Sequence, residues 1–298
     1  MNAREQWLQD RMTGIGGSDA AAVLGLSKYK TPLQVYQEKR GEIGGIPDNE
    51  PMLWGRVLEP VIRQQYAERT GRTVRLPEGI IRHQTHPFML ATVDGITDDG
   101  RLVEVKTART AQDWGEPGTD EVPQAYLIQV QHYLEVTALP VADVAVLIGG
   151  SDFRMYEIEA DRELQGMIID GEADFWRRVE QGIPPDPVSF ADVQAMFGKF
   201  SKEGAVEADA ATAEAIANIK RIKEMVKALE EEEETTKAVI MKALGENDTL
   251  IQKGKVLATW KAQAGAKRFD SKTFQTHHPD LYAQFVAIGE PTRRFLLK

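Results

Sequence analysis

The chain reads as a mixed α/β protein with a C-terminal α+β appendage that contains a long helix. Three observations give that reading. Helical and strand-like periodicities alternate as far as residue 182, in the order helix, strands, helix, strands, helix. The PPDP stretch after Gly182 then stops that pattern, and from about Glu207 the composition shifts to Ala, Glu and Lys. With 298 residues and 42% hydrophobic content, the chain can bury one substantial core and still carry an appendage. We therefore expect domains at 1–200 and 201–298.

In GIGGSDAAAVLGLSKYKTPLQVYQEKRGE, glycines open a loop, and Ser18 and Asp19 are N-cap candidates for the run AAAVLG. A second helix is expected from Thr31 to Lys39. After the loop GEIGGIPDNEP, the segment MLWGRVLEPVIRQQYAERTG places Leu58, Ile62 and Tyr66 at helical spacing and stops at Gly71. That predicts one amphipathic helix running through Pro60. The stretch TVRLPEGIIRHQTHPFMLATVDGITDDGRLVEVKTAR breaks into short apolar or alternating runs at PEG, HP and DDG. These are strands, with a hairpin turn at Asp98-Asp99-Gly100.

Next, VPQAYLIQVQHYLEVT is helical, VADVAVLIGG is a buried strand, SDFRMYEIEA is an alternating strand paired with it, and Asp161 to Gly182 is a helix. Glu207 to Leu244 predicts a long helix or a helical hairpin, with Ile216, Ile219, Ile222, Val226 and Leu229 on one side. The acids Glu230 to Glu234 form a solvated face or an interhelical turn. TLIQKGKVLATWKAQ is expected to turn as a hairpin at Lys253-Gly254, and SKTFQTHHPDLYAQF to make a short helical pair.

Composition removes several classes of chemistry. With no cysteine there is no disulfide, thiolate zinc site, iron–sulfur cluster or cysteine nucleophile, so any metal sits on oxygen or histidine. No apolar run reaches membrane-spanning length and MNAREQWLQD lacks an apolar leader, which points to a cytoplasmic protein with no membrane partner. The net charge of −10 is uneven: residues 1–204 carry 21 basic against 32 acidic side chains, whereas residues 249–298 carry 9 against 3. An acidic body with a basic tail is compatible with a magnesium enzyme acting on a polyanion.

The stretch TVDGITDDGRLVEVK carries the main chemical expectation. On an antiparallel hairpin Glu104 and Lys106 share a face, and Asp94 on the partner strand can lie opposite them. Two carboxylates on a buried face repel each other and imply a cation; hard oxygen ligands favour Mg2+ or Mn2+. The alternative is a surface hairpin with an ordinary Glu–Lys pair. Glu59 stands on the preceding helix beside Trp54 and Arg56, where it could equally be a solvated glutamate. In the later helix Gln129 and Tyr133 lie at i and i+4 on one face with Tyr126, and Gln131 lies off it.

Taken in order, GIGGSDAAAVLG, WGRVLEPV, HPFMLATVDG, the VEVK ending and QVQHYLEVT resemble the YqaJ-type phage recombinases, within the lambda exonuclease group of PD-(D/E)xK nucleases. The resemblance covers about residues 8 to 180. Val93-Asp94 stands where that family shows Pro-Asp, and Gln129-x-x-x-Tyr133 is similar to the helix motif of RecB-like nucleases. The resemblance implies a restriction-endonuclease-like core, a central mixed β-sheet flanked by helices. It also implies that Asp94, Glu104, the Val105 carbonyl and Glu59 hold Mg2+ or Mn2+, two ions per active site. Lys106 would orient and deprotonate the attacking water, Gln129 would hold the water or the scissile phosphate, and Tyr133 and Gln131 would support that helix. Arg11 and Ser18 would receive a 5′-phosphate.

The activity so implied is 5′-to-3′ exonucleolytic degradation of linear double-stranded DNA, leaving 3′ single-stranded tails for phage-type recombination in a bacterial host. An end- or structure-specific endonuclease and a non-catalytic DNA-end-binding module are the alternatives. A ring-like homo-oligomer and a single-strand annealing protein are the expected partners besides DNA ends. Residues 205–298 lie beyond the resemblance and could arrange subunits, dock a partner or hold duplex DNA.

Overall fold

Strict alternation along neighbouring strands sets the architecture. The computed structural model describes residues 9–45, 47–199, 204–289 and 292–298. The chain divides into two compact units, Met1–Met196 and Phe197–Lys298. The first contains β1 (Ile15–Gly16), α1 (Gly17–Val23), α2 (Pro32–Lys39), α3 (Glu50–Thr70), β2 (Val74–Arg75), β3 (Ile81–Arg82), β4 (Met89–Ala91) and β5 (Gly95–Thr97). It continues with β6 (Leu102–Ala108), α4 (Gln124–Thr137), β7 (Val141–Ile148), β8 (Asp152–Glu159) and α5 (Arg162–Gln181); α6 (Phe190–Phe197) ends at the boundary.

Five strands form one mixed sheet in the order β2-β5-β6-β7-β8; β6 and β7 are parallel and the other pairs antiparallel. Because successive side chains on a strand point to opposite faces, Leu102, Val144, Val146, Tyr156 and Ile158 enter a core shared with α1 and α4. Val103, Val105 and Ala145 face the other way, onto Ile62 and Tyr66 of α3. Helix α4 makes the crossover between the two parallel strands. A small second sheet, β1-β4-β3, sits where the glycine loop meets α1.

Helix ends follow their sequence signatures. Thr31 caps α2 through a capping box with Gln34, and Asp161 caps α5. Gly71 and Gly182 end α3 and α5 at φ 70° and 69°. Helix α3 runs through exposed Pro60 as expected, but starts at Glu50 with Asn49 as its cap, two residues ahead of the anticipated segment. The expected capping by Ser18 or Asp19 is not found: Gly16 occupies the N-cap of α1 with no side-chain cap bond. Asp19 is instead buried inside the helix, where it has other partners.

The glycine run has a steric cause at two positions. A Cβ on Gly14 would lie 2.4 Å from the Phe88 carbonyl oxygen, and one on Gly17 would lie 2.4 Å from the Tyr133 ring. Only glycine lets α1 approach α4 this closely.

In the second unit, α7 (Ala210–Leu244) is one continuous helix, which removes the helical-hairpin alternative. Glu230 to Glu234 lie on its exposed surface rather than in a turn. Strands β9 (Thr249–Gln252) and β10 (Lys255–Thr259) make the expected hairpin, with Lys253 and Gly254 at φ 48° and 76° as a tight turn requires. Helices α8 (Ser271–His277) and α9 (Pro279–Phe285) follow as a pair. No helix among the described residues is long and apolar enough to cross a membrane.

Candidate active site

Glu104 and Lys106 point from β6 toward α4, on the face opposite Val103 and Val105, as the period of two dictates. Asp94 immediately precedes β5, whose Gly95 pairs with Val103, and this register brings its carboxylate beside β6. Asp94 Oδ2 accepts a hydrogen bond from the Val105 amide at 2.8 Å. Lys106 Nζ forms an ion pair with Glu104 Oε1, donates to Gln129 Oε1 at 3.2 Å, and stands 4.9 Å from the centre of the Tyr126 ring. Gln129 Nε2 donates to Glu104 Oε1 at 2.7 Å and to the Tyr133 hydroxyl at 3.3 Å. Glu104, Lys106, Gln129 and the supporting Tyr133 therefore form one connected network, with Asp94 held beside it by the Val105 amide.

All of them line a cleft of about 1170 Å3, together with Glu59, Val105 and Ser18. Glu59 shares the cleft but is held by Arg63, 3.0 Å away at i+4; Arg63 also donates to the Asp94 carbonyl at 3.1 Å. That bridge between α3 and the hairpin was missed in the sequence, where Arg63 is one of many helix arginines. Arg11 Nη2 donates to Ser18 Oγ at 2.8 Å and to Asp19 Oδ2 at 3.2 Å. Gln131 is not brought to the site. Its amide bonds the Glu159 carbonyl at 2.7 Å, the Asp161 amide at 3.0 Å and Gln165 at 3.2 Å, so it fastens α4 to the start of α5. It points there because i+2 on a helix faces away from Gln129.

The electrostatics are those of a site short of positive charge. Burial, and then the charge of Glu104, push the Asp94 carboxyl up to about 8. Burial also raises Glu104, against the pull of Lys106. Burial opposes the charge on Lys106, but Glu104 and Asp94 outweigh it and keep the ammonium protonated. Glu104 Oε2 is buried without a hydrogen-bond partner. Among the described residues no three of His, Cys, Asp and Glu could enclose a metal by themselves. A pair of carboxylates with open coordination is nonetheless the donor set Mg2+ accepts, since it keeps several waters.

Known proteins agree with this architecture. The fold is shared with solved exonuclease structures. An alkaline exonuclease (LHK-Exo) from Laribacter hongkongensis superposes with a TM-score of 0.50 at 24% identity, covering 60% of this chain and 94% of the other. LHK-Exo in complex with dAMP matches with the same score and coverage at 23% identity. At the level of sequence, the model of the YqaJ-like viral recombinase domain matches residues 6–140. The uncharacterized protein YqaJ of Bacillus subtilis (strain 168) is 33% identical over 99% of this chain and 94% of its own length. The chain belongs to the YqaJ family.

Proposed function

We propose that this chain is a divalent-metal-dependent nuclease that degrades one strand of linear double-stranded DNA in the 5′-to-3′ direction, leaving 3′ single-stranded tails for phage-type recombination. One observation carries the reading: the buried Glu104 and the half-buried Asp94 face a single ammonium, Lys106, both acids line an open cleft, and one Glu104 oxygen is buried without a donor. A buried carboxylate in that state costs free energy until a cation joins it. The match to an alkaline exonuclease fold and membership of a viral recombinase family support the same assignment.

Asp94, Glu104 and the Val105 carbonyl would hold Mg2+ or Mn2+, two ions per site, with Glu59 contributing from α3 once it parts from Arg63. Bound there, divalent cations acidify the attacking water and offset charge on the phosphate in an in-line displacement. The protein's own groups do the rest. Lys106 Nζ donates to the attacking water and orients it, held in place by Glu104, Gln129 and the Tyr126 ring. Gln129, fixed by Tyr133, keeps Glu104 turned into the cleft and offers its amide to water or phosphate. Arg11 and Ser18 receive the 5′-phosphate left by each cut, which sets the direction of degradation.

We extend the reading to assembly as a ring-like homo-oligomer, with a single-strand annealing protein as partner on the exposed tails. In support, Ile219, Ile222, Val226 and Leu229 of α7 are 38%, 46%, 47% and 61% exposed, an apolar stripe on an otherwise charged helix.

The decisive experiment is a time course of acid-soluble label from 5′-phosphorylated linear duplex, beside closed-circular duplex, in Mg2+ and in EDTA. Loss of label from the linear substrate alone, in Mg2+ alone, is the expected result. Cutting of closed circles would make the enzyme an endonuclease. No release from either would leave a DNA-end-binding module.

A further inference from the structure

Three cations converge on one carboxylate that the catalytic network does not use. Asp19, on α1, is 3% exposed. Its Oδ2 accepts from Lys39 Nζ at 2.9 Å and from Arg11 Nη2 at 3.2 Å, and its Oδ1 from Lys30 Nζ at 3.4 Å. Lys39 Nζ also donates to the Arg11 carbonyl at 2.9 Å, while Lys30 is shared with Glu38 at 2.7 Å. Arg11 is thus fastened twice, its backbone by Lys39 and its guanidinium by Asp19.

Exposure separates the members. The side chains of Lys39 and Asp19 are 4% and 5% exposed, Lys30 is 17% exposed, and Arg11 is 30% exposed. The most exposed cation of the cluster is therefore the one whose Nη2 also reaches Ser18 Oγ at the wall of the cleft. Burial opposes ionisation of Asp19, but Lys39, Arg11 and Lys30 outweigh it and hold the carboxyl well below its usual range. Neutralising a buried aspartate takes one cation; a second and third are needed only if one of them is to be held in place.

We propose that Asp19 is a positioning residue for end recognition: with Lys39 it fixes the Arg11 guanidinium beside Ser18, so that a terminal phosphate meets a preordered fork instead of a mobile side chain. This rests on the reading of Arg11 and Ser18 as the 5′-phosphate site. A guanidinium already ordered loses less conformational freedom on binding, which raises affinity for the phosphorylated end without any added contact.

The test uses the full chain on linear duplex with 5′-phosphate or 5′-hydroxyl ends in Mg2+, and reads the ratio of kcat/KM for the two. Asp19→Asn is expected to lower that ratio about tenfold, the scale of one charge-assisted hydrogen bond. In an Arg11→Ala background the same change should move the ratio less than about twofold, because the two residues act as one unit. Asp19→Glu, which keeps the charge but displaces the carboxylate by a methylene, supplies a second variant should Asp19→Asn not fold, and is also expected to lower the ratio. A folded variant with the wild-type ratio, or a further tenfold fall in the Arg11→Ala background, would overturn the proposal. Wild-type protein that degrades both ends equally also overturns it while leaving the nuclease intact; wild-type protein inactive on both ends removes the nuclease reading itself.

Discussion

Replacing Asp94 by Asn should make the metal-free protein more stable, and by an amount that depends on pH. The carboxyl ordinarily titrates near 3.8 and is pushed to about 8 here, chiefly by burial and then by Glu104. Below about pH 4 it is neutral whether the chain is folded or not, so it costs nothing. Between about pH 4 and 8 the folded protein keeps a proton that the unfolded chain releases, and stability falls by about 1.4 kcal/mol per pH unit. Above pH 8 both states are ionised and the loss stays constant. Four pH units set a ceiling on the order of 5 kcal/mol; Asp94 retains some solvent contact, so about 2–4 kcal/mol is the expected gain for Asp94→Asn at pH 9. Asparagine can still accept from the Val105 amide, so the hairpin contact survives. For a domain of this size the gain corresponds to roughly 5–12 °C in Tm. Thermal unfolding in EDTA at pH 5 and pH 9 measures it, and Mg2+ should narrow the gap by stabilising the wild type alone. A gain equal at the two pH values, or no gain at pH 9, would refute the electrostatic account of this site.

Other perturbations probe separate parts of the molecule. Lys106→Ala should lower release of label from linear duplex at least ~100-fold while circular dichroism stays native, since it removes the group that orients the attacking water; near-normal turnover would sink that role. Gly17→Ala places a methyl 2.4 Å from the Tyr133 ring and should cost about 1–3 kcal/mol in urea unfolding, because helix and ring must both shift. Truncation after residue 200 should reduce the subunit count measured by light scattering, and an unchanged count would remove the α7 stripe from assembly.

Elements whose information is local were legible in the sequence. The alternation in LVEVK and the near-continuous apolar run in VADVAVLI place β6 and β7 correctly, because a strand's facing is set by its period of two. Leu58 packs beside Ile62 and Tyr66 as their helical spacing requires. The acid pair was readable for the same reason, since Asp94 and Glu104 flank a single hairpin. What could not be read depends on contacts between distant segments. Ser18 and Asp19 look like caps, yet Asp19 answers to Lys30 and Lys39, 11 and 20 residues away. The glycines read only as a loop, whereas two of them are required by the close approach of Phe88 and Tyr133. Gln131 sits among site residues in sequence but turns to Glu159 and Gln165.

Comparing the buried acids with one another explains why the proposed cation is assigned to Glu104 and not elsewhere. Asp143 is matched by Arg101 at 2.6 and 2.8 Å and by the Tyr66 hydroxyl, so nothing is left to satisfy. Asp19 has three cations. Glu172 resembles Glu104 at first, because its Oε2 is also buried without a partner. Its other oxygen, however, lies 2.8 Å from His132 Nδ1, while His132 Nε2 meets the Leu90 carbonyl at 2.9 Å. With acceptors on both nitrogens, and with Glu172 outweighing the effect of burial, the imidazole is held protonated and one acid meets one cation. Neither residue lines the large cleft. At β6 the balance differs: two carboxyls, Asp94 and Glu104, face the single ammonium of Lys106, both line the cleft of about 1170 Å3, and one Glu104 oxygen has no hydrogen-bond partner. An unmatched acid in a sealed core is a cost carried by the fold, whereas an unmatched acid pair beside a cleft is a cost that a ligand can remove. The surplus acid at the cleft therefore supports a function, and the orphaned oxygen of Glu172 does not.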